Sequence, residues 1–124
     1  MFAYSARDFL VVGLGILHVS PRLSVEHSWK AFMSNFKVDP HRCKQIYMLI
    51  CNVECLPSSF EAKHLLWTLY FLHTYEKERR ICYILGTDRK TYCKYIWPCV
   101  TAISSILPMI VSIKEEVYFI YYMY

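Results

Sequence analysis

Six side chains between Arg79 and Lys94 have the types and spacing to hold an anionic polymer. Arg79, Arg80, Arg89, Lys90 and Lys94 carry cations, and Thr91 carries a hydroxyl that both donates and accepts. Guanidinium and ammonium groups neutralise phosphates, and a hydroxyl reaches a base edge, so the chemistry suggested is noncovalent contact with a nucleic acid. Lys90 and Lys94 recur with Trp97 and Thr101 at helical spacing, whereas Tyr92, Ile96, Cys99, Ile103 and Ile106 repeat at four-three-four-three. One side of this helix is expected to pack and the other to face outward.

Other chemistries lack their residues. The carboxylates scatter over helix caps and outer faces with no acid/base pair among them. Gly13 and Gly15 lack the rest of a G-x-G-x-x-G pattern, and no GKS/T, G-x-S-x-G or H-E-x-x-H occurs. Neither an enzyme activity, a small-molecule substrate nor a cofactor is expected. Cys43, Cys51, Cys55, Cys82, Cys93 and Cys99 form no C-x-x-C pair, and most fall at apolar positions of helical patterns. Free, buried thiols in a reducing compartment are the expectation; Cys51 and Cys55, one turn apart, are the pair worth testing for metal. His18, His27, His41, His64 and His73 share no metal-ligand spacing, and each is expected at the surface or half-buried.

The elements that must position the basic residues are helices. The segment from Glu61 to Tyr75 carries Leu65, Leu69 and Leu72 on one stripe, with Trp67, Tyr70 and Phe71 around it, and asks for burial nearly all round. Lys77 to Leu85 is a short helix with Ile81 and Leu85 on one face. Gly86 stands where a left-handed residue ends a helix, and Asp88 is the natural N-cap of the next. A short helix, a tight turn and a longer helix with a basic outer face make a helix-turn-helix-like unit.

Upstream, Ser24 opens a helix with Trp29, Phe32, Met33 and Phe36 as a core stripe. Asp39-Pro40 opens another, with Cys43, Ile46, Tyr47, Ile50 and Val53 inward. Leu56-Pro57 ends that helix, and Ser58 and Ser59 offer a cap for the one that follows. Pro98 is expected to bend the last helix near Trp97. Past Leu107-Pro108, a short strand or connector is expected at Met109 to Ile113, then a polar break and a β-prone aromatic tail.

The chain of 124 residues, 56% hydrophobic and 17% aromatic, is no disordered polar tail. The expected fold is all-α: about five helices in residues 24–107, an irregular apolar N-terminus in 1–23 and a short tail in 108–124. Phe9 to Val19 is too short to cross a bilayer. As a secretion signal it is opposed by Asp8 beside Arg7, by Pro21 and by the missing A-x-A site, which leaves buried strand, buried helix or non-native extension open. Net charge is +4, and residues 76–94 set six cations against three carboxylates, which supplies most of it.

The series Trp29, Phe32, Phe36, Val38, Pro40, Cys43, Leu56-Pro57, His64-Leu65-Leu66-Trp67-Thr68-Leu69, Phe71-Leu72, Tyr75, then Asp88-Arg89-Lys90-Thr91-Tyr92 and Lys94-Tyr95-Ile96-Trp97-Pro98 resembles the N-terminal region of Harbinger-type DDE transposases. The likeness covers roughly Trp29 to Ile113. It implies a helical region ending in a helix-turn-helix-like unit that faces DNA. It also implies a chain that stops before the metal-binding catalytic domain, and hence no strand transfer. Two departures, Cys93 where the family favours a second basic residue and Tyr95 where it favours tryptophan, make the expected DNA contact weak and mostly to phosphate. A nuclear or cytoplasmic location, not a secreted one, goes with this reading. The alternatives are a small membrane protein spanning at Tyr95 to Ile113, an uncharged run flanked by Lys90 and Lys94, and a relic without activity.

Overall fold

In a computed structural model, which describes residues 4–19, 24–74 and 76–123 with side chains to residue 106, the chain forms six helices. They are α1 (Ala6–Ile16), α2 (Val25–Phe36), α3 (Pro40–Ile50), α4 (Ala62–His73), α5 (Glu78–Leu85) and α6 (Arg89–Met123). No strand occurs among the described residues.

The caps explain most of the boundaries. The Ser24 hydroxyl accepts from the His27 N–H, and the Asp39 carboxylate from the Arg42 N–H with Pro40 at the first helical position. Gly86 ends α5 at φ +70°, and the Thr87 N–H closes back on the Cys82 carbonyl at 3.0 Å. Asp88 then caps α6 by accepting from the Thr91 N–H at 3.1 Å.

α1 forms in the apolar run where strand, helix and extension were all open, so the N-terminus is regular where irregular chain was expected, and the helices number six. Ser5 and Asp8 close a reciprocal capping box: the Ser5 N–H donates to the Asp8 carboxylate at 2.8 Å, and the Asp8 N–H to the Ser5 hydroxyl at 3.2 Å. Phe9 is fully buried among the other helices' core residues. Gly13 lets α1 approach α2 closely, because a Cβ there would lie 2.5 Å from the Phe32 ring.

α4 is the central helix, in contact with α1, α2, α3 and α6. Ala62, His64, Leu65, Leu66, Trp67, Thr68 and Leu69 are all buried, whereas Leu72, expected in the inward stripe, is 47% exposed. Its cap is not Ser58 or Ser59. The Glu61 N–H donates to Nδ1 of His64 at 2.8 Å, while Ser59 is turned toward α6, its hydroxyl 2.6 Å from that of Tyr95.

α6 packs on α4 and α3 through Tyr92, Tyr95, Ile96, Cys99, Ala102 and Ile106, and α5 lies against α6. Helical backbone continues through Pro98 and through residues 109–113, where a strand or connector was expected. The aromatic character of the tail belongs to side chains outside the described residues. Among the described residues no helix is long and apolar enough to cross a membrane.

A ladder of rings ties the bundle together. Phe9 lies 5.7 Å from Tyr47, Tyr47 stacks on Phe60 at 6.0 Å, Phe60 lies 5.6 Å from His64, and His64 lies parallel on Tyr95 at 3.5 Å. Each such pair contributes about 0.5–1.5 kcal/mol beyond the area it buries. The ladder therefore joins α1, at one side of α4, to α6 at the other.

Candidate nucleic-acid interface

The corner between α5 and α6 holds the six residues singled out by type and spacing. It is a three-residue turn, Gly86-Thr87-Asp88, and not unbroken helix. Lys90 and Lys94 are exposed, one turn apart on α6, and Trp97 and Thr101 continue the same exposed stripe. The opposite face of α6 is buried at Tyr92, Ile96, Cys99 and Ile106, with Ile103 half-buried, so the two-faced expectation for this helix holds.

The six residues are not equally free. The Arg89 guanidinium donates to the Glu78 carboxylate at 2.9 Å, which also receives the Cys93 thiol at 3.4 Å, and Arg80 pairs with Glu76 at 3.2 Å. The hydrogen bond and charge of Glu78 hold Arg89 more firmly protonated. The Thr91 hydroxyl donates to the Asp88 carboxylate at 2.6 Å. That bond, with the Thr91 N–H, keeps the Asp88 carboxyl below its usual range, and it takes up the hydroxyl proton proposed for a base edge. Arg79 and Lys90 are exposed and have no ion pair among the described residues; the Lys94 ammonium sits 5.2 Å from the Tyr95 ring.

A cleft of about 520 Å³ opens between the start of α5 and the start of α6, lined by Lys77, Glu78, Arg79, Cys82 and Arg89. Three cations around one carboxylate make a mouth suited to an oxyanion. Lys77, counted in the basic surplus but not among the six, belongs to it. The signal that finds Lys77 is its position as the residue before α5, where unpaired N–H groups add positive potential.

His64 was expected at the surface or half-buried, and instead it is 3% exposed, holding the start of α4 and lying flat on Tyr95. Desolvation, with Lys63 and Lys94 nearby, brings its pKa down to about 4, so the ring is neutral and accepts at Nδ1. The signal in the sequence was its place three residues after Glu61, the third helical position, where a side-chain acceptor satisfies the cap N–H. The six cysteines are free: Cys43, Cys82 and Cys99 buried, Cys51 and Cys93 half-buried, Cys55 exposed. Among the described residues no three His, Cys, Asp or Glu side chains come together as metal ligands.

These features define a small all-helical protein with a helix-turn-helix corner and a basic, outward helix face. Comparison with protein-family models, with curated proteins and with solved structures finds no match for the chain.

Proposed function

We propose that this protein binds DNA through the α5–turn–α6 unit, chiefly by contacts to phosphate, and that it is related to the N-terminal region of Harbinger-type transposases. The observation that carries the reading is the Lys90–Lys94 face, exposed just past a glycine-ended turn on a helix whose other side is sealed in the core. The cleft beside it, where Lys77 and Arg79 stand next to the Arg89–Glu78 pair, supports it as a second place for a phosphate. A nuclear or cytoplasmic location goes with it, since six unpaired thiols persist in reducing surroundings.

Contact is modest because Glu76 and Glu78 already hold Arg80 and Arg89. If Arg79, Lys90 and Lys94 each neutralise one phosphate, the logarithm of affinity falls with that of salt at a slope of about −2.7, or about 40-fold between ~50 and ~200 mM. Fluorescence anisotropy of a labelled duplex measures this directly. Lys90→Ala with Lys94→Ala should leave a slope of about −0.9 and weaken binding alike on unrelated sequences. Salt-independent binding, or none at ~50 mM salt, defeats the reading.

A further inference from the structure

The basic stripe of α6 ends in an aromatic side chain that the phosphate reading leaves unused. Trp97 is 52% exposed although it is the largest side chain on the helix, and it follows Lys90 and Lys94 at i+7 and i+3 on the same face. Core demand does not place it there, because the neighbours that seal α6 are Tyr95, Ile96, Cys99 and Ala102. The ring is nonetheless braced: Phe71 of α4 meets it at 5.8 Å and 74°, an edge-to-face contact that limits its rotamers while leaving about half of the residue to solvent. Phe71 is itself set against Tyr92 at 6.4 Å, so the brace reaches the core.

A fixed, half-open indole in line with two ammonium groups on successive turns is the arrangement that holds an unpaired base while cations follow its phosphates. In a duplex the bases are stacked on one another and present only edges. An indole face cannot be used on them without unstacking. We infer that Trp97 is a stacking platform for one unpaired base and that Lys90 and Lys94 track the adjoining backbone, so that the preferred ligand of this face is single-stranded or locally opened DNA. The inference rests on the DNA reading above and narrows it to a strand state. Charge complementarity selects the occupant: a purely apolar partner would leave Lys90 and Lys94 facing it unpaired, whereas a polyanion with exposed π-faces uses all three side chains.

The test uses the full chain and three labelled probes: an oligothymidylate of about fifteen nucleotides, an abasic phosphodiester strand of the same length, and a mixed-sequence duplex. The oligothymidylate is expected to bind about 5- to 150-fold tighter than the abasic strand, the range that one stacked base contributes. Trp97→Ala should erase that difference and leave duplex binding unchanged. Trp97→Phe, which keeps a ring against Phe71 and guards against loss of folding, should keep part of it. Lys90→Ala with Lys94→Ala should weaken all three probes. Quenching of indole emission by the oligothymidylate, lost in Trp97→Phe, reports the contact without any truncation. Equal binding of oligothymidylate and abasic strand overturns the stacking site and leaves the phosphate reading standing. Failure of every probe to bind at ~50 mM salt removes the phosphate reading as well.

Discussion

Acid should loosen this protein through one histidine. The unfolded chain takes up a proton on His64 near 6.5, while the folded protein resists until about 4, because the buried ring would have to charge between Lys63 and Lys94 and give up its bond from the Glu61 N–H. In that window the unfolded state binds more protons, so stability falls as pH falls. Linkage gives a loss of about 2 kcal/mol between pH 7 and pH 5, and about 3 kcal/mol by pH 4. The window above pH 5 isolates the histidine, since the Asp8 and Asp88 caps, both held below the usual carboxylate range by hydrogen bonds from Ser5 and Thr91, lose their contribution only as pH drops below about 4. Urea unfolding followed by circular dichroism at several pH values measures the loss in the wild type and in His64→Gln. Glutamine can still accept from the Glu61 N–H at that position but does not titrate. It sacrifices the stacking on Tyr95, a pH-independent cost, so the comparison lies in the slopes and not in the absolute stabilities. The wild type should lose about 2 kcal/mol more than the variant over that interval. Parallel curves would mean that His64 is accessible and titrates freely, and the buried cap would be wrong.

Other consequences can be checked with similar means. Gly13→Ala should destabilise by about 1–3 kcal/mol in spite of alanine's better helix propensity, since its methyl would lie 2.5 Å and 2.6 Å from carbons of the Phe32 ring and 3.0 Å from Phe36. Gly15→Ala, on the same helix with nothing within 4 Å, should stabilise by about 0.5–1 kcal/mol; thermal melts that rank the two the other way would detach α1 from the core. Gly86→Ala, with open space but φ +70°, should cost about 1 kcal/mol for its backbone alone, and an unchanged melting temperature would mean the corner is not left-handed. In native protein near neutral pH an alkylating reagent should label Cys55 ahead of Cys43 and Cys99, whose thiols burial pushes up to about 12. Peptide mass spectrometry showing Cys43 labelled as fast as Cys55 before unfolding contradicts the packing of α3.

The starts of α2, α3 and α6 and the end of α5 were legible because local chemistry and tertiary demand agree there. Ser24, Asp39-Pro40, Gly86 and Asp88 each sit at the boundary that their capping chemistry predicts. By contrast, α3 stops at Ile50, short of the Leu56-Pro57 expected to end it, and α4 takes its cap from Glu61 and His64. α1 was obscured because FLVVGLGILHV is apolar on every side and carries two glycines, which erases helical periodicity. The capping pair Ser5 and Asp8 was present, but the value of Gly13 is a distance to Phe32 that no local pattern contains. The residues beyond Leu107-Pro108 misled in the opposite direction. Their side-chain types favour a strand, yet their backbone continues a helix already propagating from Arg89.

The candidate site was legible in its charges but not in their commitments. Spacing put Arg80, Arg89 and Thr91 on the basic side. Arg80 and Thr91 are taken up locally, by Glu76 four residues before and Asp88 three before, whereas the fate of Arg89 depends on how α5 lies against α6, which sets Arg89 and Cys93 around one Glu78 oxygen. A helix-turn-helix corner is rigid only as far as its second helix is held from behind, and here the holding is done from far along the chain. α5 rests on α6; α6 rests on α3 and α4; and Tyr95, beneath Lys94, is fixed by His64 on its face and Ser59 at its hydroxyl. The ring ladder carries that support on to Phe9 of α1. The outward lysines thus owe their position to residues up to eighty-five places away, Phe9 to Lys94, which is why charge pattern alone located the face and could not say which of its side chains were free to use.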